Sequence, residues 1–521
     1  MGVHDGVLRR GGLEVKTLTL RNITLNIHEE ESALIKLCSR KLHAPCKYFK
    51  IVKKSLDARD KSDIRWVYTL ECADEPYILP PPVYEKITKP APKVVIAGTG
   101  PAGLFCALRL IEHGIRPVLV ERGKPVEERI SDVRRMRERG ELDFNSNVQF
   151  GEGGAGTFSD GKLFTQTGSP LNREVLKTFL QFGAPPEIEY LGKPHIGSDN
   201  LRSVVANMRR HILERGGEVR FSTKLTDVET RGGKLSAVYL NGVREEADEL
   251  VLAVGHSARD TFEMLHARGF MLEQKEFAVG VRIEHLQEKI GRAQYGESYP
   301  LLPAADYKLV SHAAERAVFT FCMCPGGVVI PSASEEGGVV VNGMSDYARA
   351  ERNANSALVV QVKREDFGGE HPLAGVEFQR KMERLAFQAA GGGYRAPVQL
   401  LGDFLERRES DRFQEVLPSY EPATAFAPLD GYLPEVVCGA LRAALPDMGR
   451  RLSGFDAHDA VLTGVESRTS SPVRVLRGEE LQAAGCSGVY PCGEGCGYAG
   501  GITSAAADGL RVATAIYKKY A

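Results

Sequence analysis

The sequence predicts an α/β protein: a doubly wound parallel sheet that binds a dinucleotide, interrupted by an inserted mixed α+β domain and preceded by a small α/β unit. Three observations carry this. At residues 93–122 an apolar strand, a glycine-rich turn, a helix and a second apolar strand follow in that order. Residues 491–501 form a second glycine-rich turn that leads into an alanine-rich helix. The 521 residues in all exceed one ordinary core, so two or three domains are expected. The boundaries implied are 1–88 for the N-terminal unit, in which a ferredoxin-like order is one option, and 89–270 for the first part of a Rossmann-like domain with a small β insertion. Residues 271–460 then form mainly a substrate or cap domain, and 461–521 complete the nucleotide-binding domain.

In the N-terminal unit, residues 15–20 alternate like a strand and 29–40 place Leu34 and Leu37 at helical spacing. Residues 50–54 and 64–72 read as further strands, the second rich in Trp66, Val67, Tyr68 and Thr69. Lys36, Arg40, Lys41, Lys47, Lys50, Lys53 and Lys54, interleaved with Tyr48 and Phe49, suit either a polyanion such as RNA or a solvated face. Pro80, Pro81 and Pro82, with Pro90 and Pro92, mark a linker.

Val94, Val95 and Ile96 form the strand before the turn, and Gly98, Gly100 and Gly103 supply the G-x-G-x-x-G spacing. The first glycine permits the tight turn, the second lets backbone approach a pyrophosphate, and the third lets helix pack on strand. Pro101 and Ala102 open the helix, whose N-terminal amides face the phosphates. Glu121 ends the second strand, 23 residues beyond Gly98, at the offset for an adenosine ribose hydroxyl. Arg122 follows it as a cofactor contact or a solvated charge. This pattern suits NAD and FAD equally.

Residues 124–140 read as a charged helix. They lead into residues 147–163, where glycines including Gly153 and Gly154 free the backbone for a ligand and Thr157 adds a directional hydroxyl. A helix at 200–215, a strand at 218–221, a β insertion around 228–240 and a buried strand at 249–254 complete the first half. In the inserted domain, strands are expected at 278–283, 318–323, 328–331 and 339–342, with a helix at 375–390. Arg282 has the planar fork to hold an anion, and His285 the pKa range to move a proton. Glu466, Arg468, Ser470, Ser471 and Arg474 form a polar constellation suited to a carboxylate or phosphate, or to an interdomain network. Arg282, His285, Arg468 and Arg474 are therefore the candidates for substrate positioning and proton transfer. The C-terminal turn holds Gly493, Glu494, Gly500 and Gly501 before Ile502 opens the last helix. One nucleotide-binding unit is expected, not two.

A net charge of -1 gives no whole-chain case for nucleic acid or membrane binding, and no stretch is apolar enough to span a bilayer. Ten cysteines lack zinc spacing, so no metal site is expected and a reducing, cytoplasmic compartment is. Cys492 and Cys496, with three residues between them, suit buried thiols or, beside a flavin, a redox pair.

Taken together, the chain resembles the family of uncharacterised FAD-dependent dehydrogenases within the two-dinucleotide-binding-domain flavoproteins. The resemblance rests on residues 53–59, 98–103, 151–163, 277–285, 321–327 and 466–474, and most strongly on 493–501 with 504–509. Cys496 stands where that family often has a small residue. The resemblance implies FAD, with Gly98, Gly100 and Gly103 at the pyrophosphate, Glu121 at the ribose, Gly153 and Gly154 near the cofactor, and Glu494, Gly500, Gly501 and Ile502 closing the flavin site. It leaves NADH or NADPH open as a transient donor. The expected function is a FAD-dependent oxidoreductase acting on a small molecule. An RNA-modifying flavoprotein, a flavin-dependent thiol or disulfide oxidoreductase and a non-enzymatic flavin sensor are the alternatives.

Overall fold

Val94–Ala97 is wholly buried and forms the middle strand of a five-stranded parallel sheet. The computed structural model describes residues 2–10, 13–76, 83–165 and 167–521, with side chains from residue 17 onward. The sheet order is Val489–Pro491, Glu249–Leu252, Val94–Ala97, Val118–Val120 and Glu218–Arg220, every pair parallel. Inner parallel strands are covered on both faces, so they need no polar alternation. This is why the chain shows short unbroken apolar runs there. Helices Pro101–Glu112 and Ile502–Tyr520 pack against each other in one core, which joins the beginning and the end of the nucleotide-binding domain. The β insertion is a three-stranded meander, Leu225–Arg231, Lys234–Leu240 and Val243–Glu246.

The inserted domain is built on a seven-stranded sheet ordered Val310–Ser311, Val318–Cys324, Asn353–Val362, Phe277–Leu286, Val461–Glu466, Ala396–Leu400 and Thr424–Phe426. Its pairs are antiparallel except the last. Helix Glu435–Arg451 packs its apolar stripe, including Leu441, Leu445 and Met448, into the core of this domain. Helix Ala374–Ala389 adds Met382 and Ala386. The strand Val461–Glu466, which the boundary at 461 assigned to the C-terminal completion, pairs instead with Phe277–Leu286.

The N-terminal sheet is antiparallel, ordered Gly2–Arg10, Leu13–Asn26, Arg65–Ala73, Tyr48–Asp57, with helix Ser32–Leu42 packed through Leu34, Cys38 and Leu42. This is not the ferredoxin-like order. That order needs a second crossover helix and a returning strand after Arg65–Ala73, whereas the next described strand is Val94–Ala97 of the parallel sheet, and Gly2–Arg10 takes the edge through a hairpin with Leu13–Asn26. The Gly2–Arg10 strand was hidden by its polar, glycine-bearing composition. The unit docks through Lys54, whose amide donates to Tyr190 O at 2.7 Å and whose carbonyl accepts from Gly192 N at 2.9 Å. The Pro80–Pro82 run lies outside the described residues. Among the described residues no helix is long and apolar enough to cross a membrane, and no group of His, Cys, Asp or Glu is arranged to hold a metal.

Candidate functional site

A cleft of about 1600 Å³, solvent mouth included, runs between the C-terminal edge of the parallel sheet and the seven-stranded sheet. Its position follows from the fold: parallel strands end there in loops, and ligands bind outside their carboxyl ends. Gly98 turns the chain at its closed end with φ of 109°, and a Cβ there would lie 2.2 Å from Ala253 O. Only glycine fits that turn. Gly100, Pro101 and Ala102 line the cleft at the start of helix Pro101–Glu112. Gly500, Gly501 and Ile502 line it at the start of the last helix. Two helix N-termini thus present unpaired amides and positive dipole ends to one space, an arrangement suited to a diphosphate. Gly103 lies outside the lining and serves helix–strand packing.

Glu121 lines the cleft and is buried. Its Oε2 accepts from Thr99 N at 3.0 Å and Thr99 Oγ1 at 2.9 Å; its Oε1 accepts from Gly123 N and Gly151 N, both at 3.0 Å. The carboxylate therefore ties three loops together, with every one of these bonds made to backbone or to Thr99. Arg122 also lines the cleft. It lies 4.2 Å over the Phe150 ring and donates to Asp260 at 2.8 Å, so it is an anchored wall residue and not a solvated charge. Burial works against the Asp260 carboxylate, but Arg122 and Lys224 still hold it down at about 2.

The glycine loop after residue 147 is shaped by Arg129, which sequence reasoning missed. Its fully buried guanidinium donates to the carbonyls of Asn147 at 2.8 Å, Val148 at 2.9 Å, Glu152 at 2.6 Å and Gly154 at 2.9 Å. Nothing in the surrounding run of arginines marked it out. Gly154 lines the cleft, whereas Gly153 and Thr157 face away from it, against Val205 and the Glu152 carbonyl. Gly493 also stands behind the lining, its amide held by Asp508 Oδ2 at 2.8 Å, while Glu494 beside it faces in. Burial pushes the Glu494 carboxyl up to about 7 against the pull of Lys275.

The opposite wall comes from the seven-stranded sheet and the strands packed on it. Arg282 is wholly buried just beneath that wall. It donates to Asn355 Oδ1 at 2.6 Å, Cys322 O at 2.9 Å and Glu466 Oε2 at 3.4 Å. Gly343 covers it, and a Cβ on Gly343 would stand 2.1 Å from Arg282 Nη2. Arg282 therefore positions Glu466 and the Cys322 loop without lining the cleft itself. Burial raises Glu466 to about 7, against Arg282. Cys322, in a left-handed conformation with φ of 43° at a bulge, opens its thiol to the cleft. The surrounding walls push that thiol up to about 12, although Lys162 and Arg282 pull the other way.

Arg468 reaches the cleft, but its guanidinium is committed. It donates to Glu383 at 3.0 and 2.8 Å, to Ser257 Oγ at 3.1 Å and to Ser334 Oγ at 2.6 Å. Arg259 grips the same carboxylate from the nucleotide-binding domain at 2.9 and 2.7 Å, so of the polar constellation Arg468 belongs to an interdomain network. His285 and Arg474 do not line the cleft. His285 is buried with its Nε2 2.8 Å from Phe455 O, and burial lowers it to about 4. Arg474 pairs with Glu273 at 3.2 Å. Cys492 and Cys496 are buried free thiols, raised in pKa by burial; Cys492 touches the cleft and Cys496 donates to Leu252 O at 3.2 Å. In the basic N-terminal stretch, Lys47, Lys50 and Lys54 pair with Glu75, Glu189 and Glu31.

A family model described as "FAD-dependent protein, C-terminal domain-like" matches residues 276–469, the span of the seven-stranded sheet. A protein from Clostridium beijerinckii, itself named only as uncharacterized, is 44% identical over 528 residues, covering 96% of this chain and 99% of that one. With that relative, the chain belongs to a family of FAD-dependent proteins. A domain of unknown function matches residues 17–73 of this flavoprotein-family chain. Among solved structures, the flavin-dependent brominase Bmp2 is 13% identical, over 83% of this chain and 80% of that one, with a TM-score of 0.36. A geranylgeranyl bacteriochlorophyll reductase-like protein from Thermoplasma acidophilum is 12% identical, over 82% and 78%, with a TM-score of 0.36.

Proposed function

We propose that the protein is a FAD-dependent oxidoreductase, or dehydrogenase, that moves a hydride or an electron pair between a small substrate, or NADH or NADPH, and an acceptor. The observation that carries this reading is a single cleft with diphosphate-binding geometry at one end and a proton-carrying carboxyl on each of its two walls. The residues fit the cofactor. Gly98, Gly100 and the two helix N-termini would take the pyrophosphate, and Glu121 with the wall at Thr223 and Leu225 the adenosine. Glu494, Gly500, Gly501 and Ile502 would close the flavin end. Bound there, the isoalloxazine supplies the redox chemistry. The chain's own part is placement, exclusion of water and proton supply.

Glu466 and Glu494, both near neutrality in their pKa, are the groups on opposite walls able to give or take a proton at physiological pH. Arg282 holds Glu466 in place, and Arg468 reaches across to Ser257 of the nucleotide-binding domain while bound to Glu383. The ten free cysteines support a reducing compartment such as the cytoplasm. The test is an anaerobic absorbance titration of the FAD-loaded protein with NADH and NADPH separately. Rapid bleaching by one of them names the donor. A flavin indifferent to both points to a substrate as the donor, and a loaded protein that no donor or acceptor panel turns over contradicts the enzymatic reading.

A further inference from the structure

The groups on the wall facing the glycine turn are unevenly matched in charge. Asp160 is gripped by Arg349 at 2.9 and 2.6 Å, which fills both carboxylate oxygens. Lys162, two residues on and lining the cleft, approaches that carboxylate only to 3.9 Å. Arg259 and Arg468 are balanced by Glu383 and Glu335, and Arg282 by Glu466. Lys162 thus shares Asp160 with Arg349 as the longer and weaker of the two pairings, and keeps no carboxylate to itself among the described residues. Lys162, Cys322, Asn342 and Gly343 all line the one cleft, and the Lys162 charge pulls the Cys322 thiol downward.

A second donor points the same way. Asn342 lines the cleft, and its Oδ1 accepts from Gly343 N at 2.7 Å. That bond settles the amide's orientation and leaves Nδ2 as a donor without a described partner. The Thr469 hydroxyl, by contrast, is already spent on Ala278 O at 2.8 Å. A wall that offers an ammonium group and a free amide donor, with its carboxylates committed to arginines, is complementary to an anion.

We propose that this wall is the substrate subsite for a small organic carboxylate, with Lys162 as its counter-ion and Asn342 as a neutral donor to it. The inference rests on the oxidoreductase reading and sharpens it, since it names the substrate class. The geometry also gives a reason for Gly343: a side chain there would collide with Arg282 and close the floor of the subsite.

The test uses benzoate and its size-matched neutral amide, benzamide, measured by calorimetry on the FAD-loaded chain and on the flavin-free chain. Benzoate is expected to bind at least tenfold more tightly than benzamide. That preference should vanish in Lys162→Met, persist in Lys162→Arg, and weaken several-fold in Asn342→Ala. Lys162→Gln replaces the Met variant if the latter does not fold. Equal binding of both probes, binding of neither, or a benzoate preference that survives loss of the ammonium overturns the subsite and leaves FAD binding untouched. The flavin spectrum of the loaded chain judges FAD binding by itself. If no flavin is taken up, the oxidoreductase reading falls, and the flavin-free titration still decides the carboxylate site.

Discussion

Glu383→Gln should be among the most damaging isosteric changes in the chain. The carboxylate is buried and accepts from Arg259 at 2.9 and 2.7 Å, from Arg468 at 3.0 and 2.8 Å, and from Ser467 Oγ at 2.7 Å. Both arginines are themselves buried, so the amide leaves two guanidinium groups with the Glu335 carboxylate as their remaining counter-charge. Breaking a buried ion cluster from one side costs about 3–5 kcal/mol. Denaturant unfolding, following the transition that separates the two domains, measures it. Burial by itself would raise the Glu383 pKa, but Arg259 and Arg468 outweigh it and hold the carboxyl well below the usual range. A lowered folded-state pKa contributes stability that is fully present above the unfolded value of about 4.3 and is lost as pH falls through the folded one. The gap between wild type and variant should therefore be full at neutral pH and close in acid. Adding Arg468→Met should recover part of the loss. A difference below about 1 kcal/mol at neutral pH, against the 3–5 expected, would refute the reasoning.

Three further outcomes are expected. Asp508→Asn removes the charge that receives Arg477 at 2.9 and 2.8 Å and turns one of the two oxygens that bind Arg477 and the Gly493 amide into a donor; losing charge-assisted bonds of about 1.5–3 kcal/mol should weaken FAD about ten- to a hundredfold, read by flavin fluorescence. Glu466 has a raised folded pKa, so the stability tied to its neutral form is present below about 4.3 and is lost as pH rises through about 7. Glu466→Gln should flatten the stability profile across that window, with Glu152 and Glu494, raised by burial as well, keeping the rest of the slope; an unchanged slope counts against the assignment. A thiol reagent should label Cys322 before the buried cysteines, faster as pH rises and more slowly with FAD bound, as mass spectrometry of the native protein can show.

The nucleotide end of the site was legible because its demands are local. Gly98 must turn at positive φ, Gly100 and Pro101 must open a helix, and such needs are written in consecutive residues. The opposite wall was less legible because its partners are remote. Arg468 was expected at a ligand, and it lines the cleft, but the carboxylate that holds it lies 85 residues away on helix Ala374–Ala389. His285 was misplaced for a reason the sequence did contain. In a strand, neighbours at odd spacing face opposite ways, so a strand that turns Arg282 toward the cleft turns His285 into the core beside Phe455. Lys162 lay inside the 151–163 motif with nothing to set it apart from its neighbours, and Asn342 only ended an expected strand. They became visible only when the carboxylates around them proved to be taken.

The most direct test of the account is flavin uptake. The purified chain, incubated with FAD and separated from excess by gel filtration, should carry a flavin spectrum and release FAD in a ratio of about one per chain on denaturation, as a single pyrophosphate-binding turn requires. A folded chain that emerges colourless after such reconstitution would contradict the assignment of the cleft to FAD, and with it the proposed function.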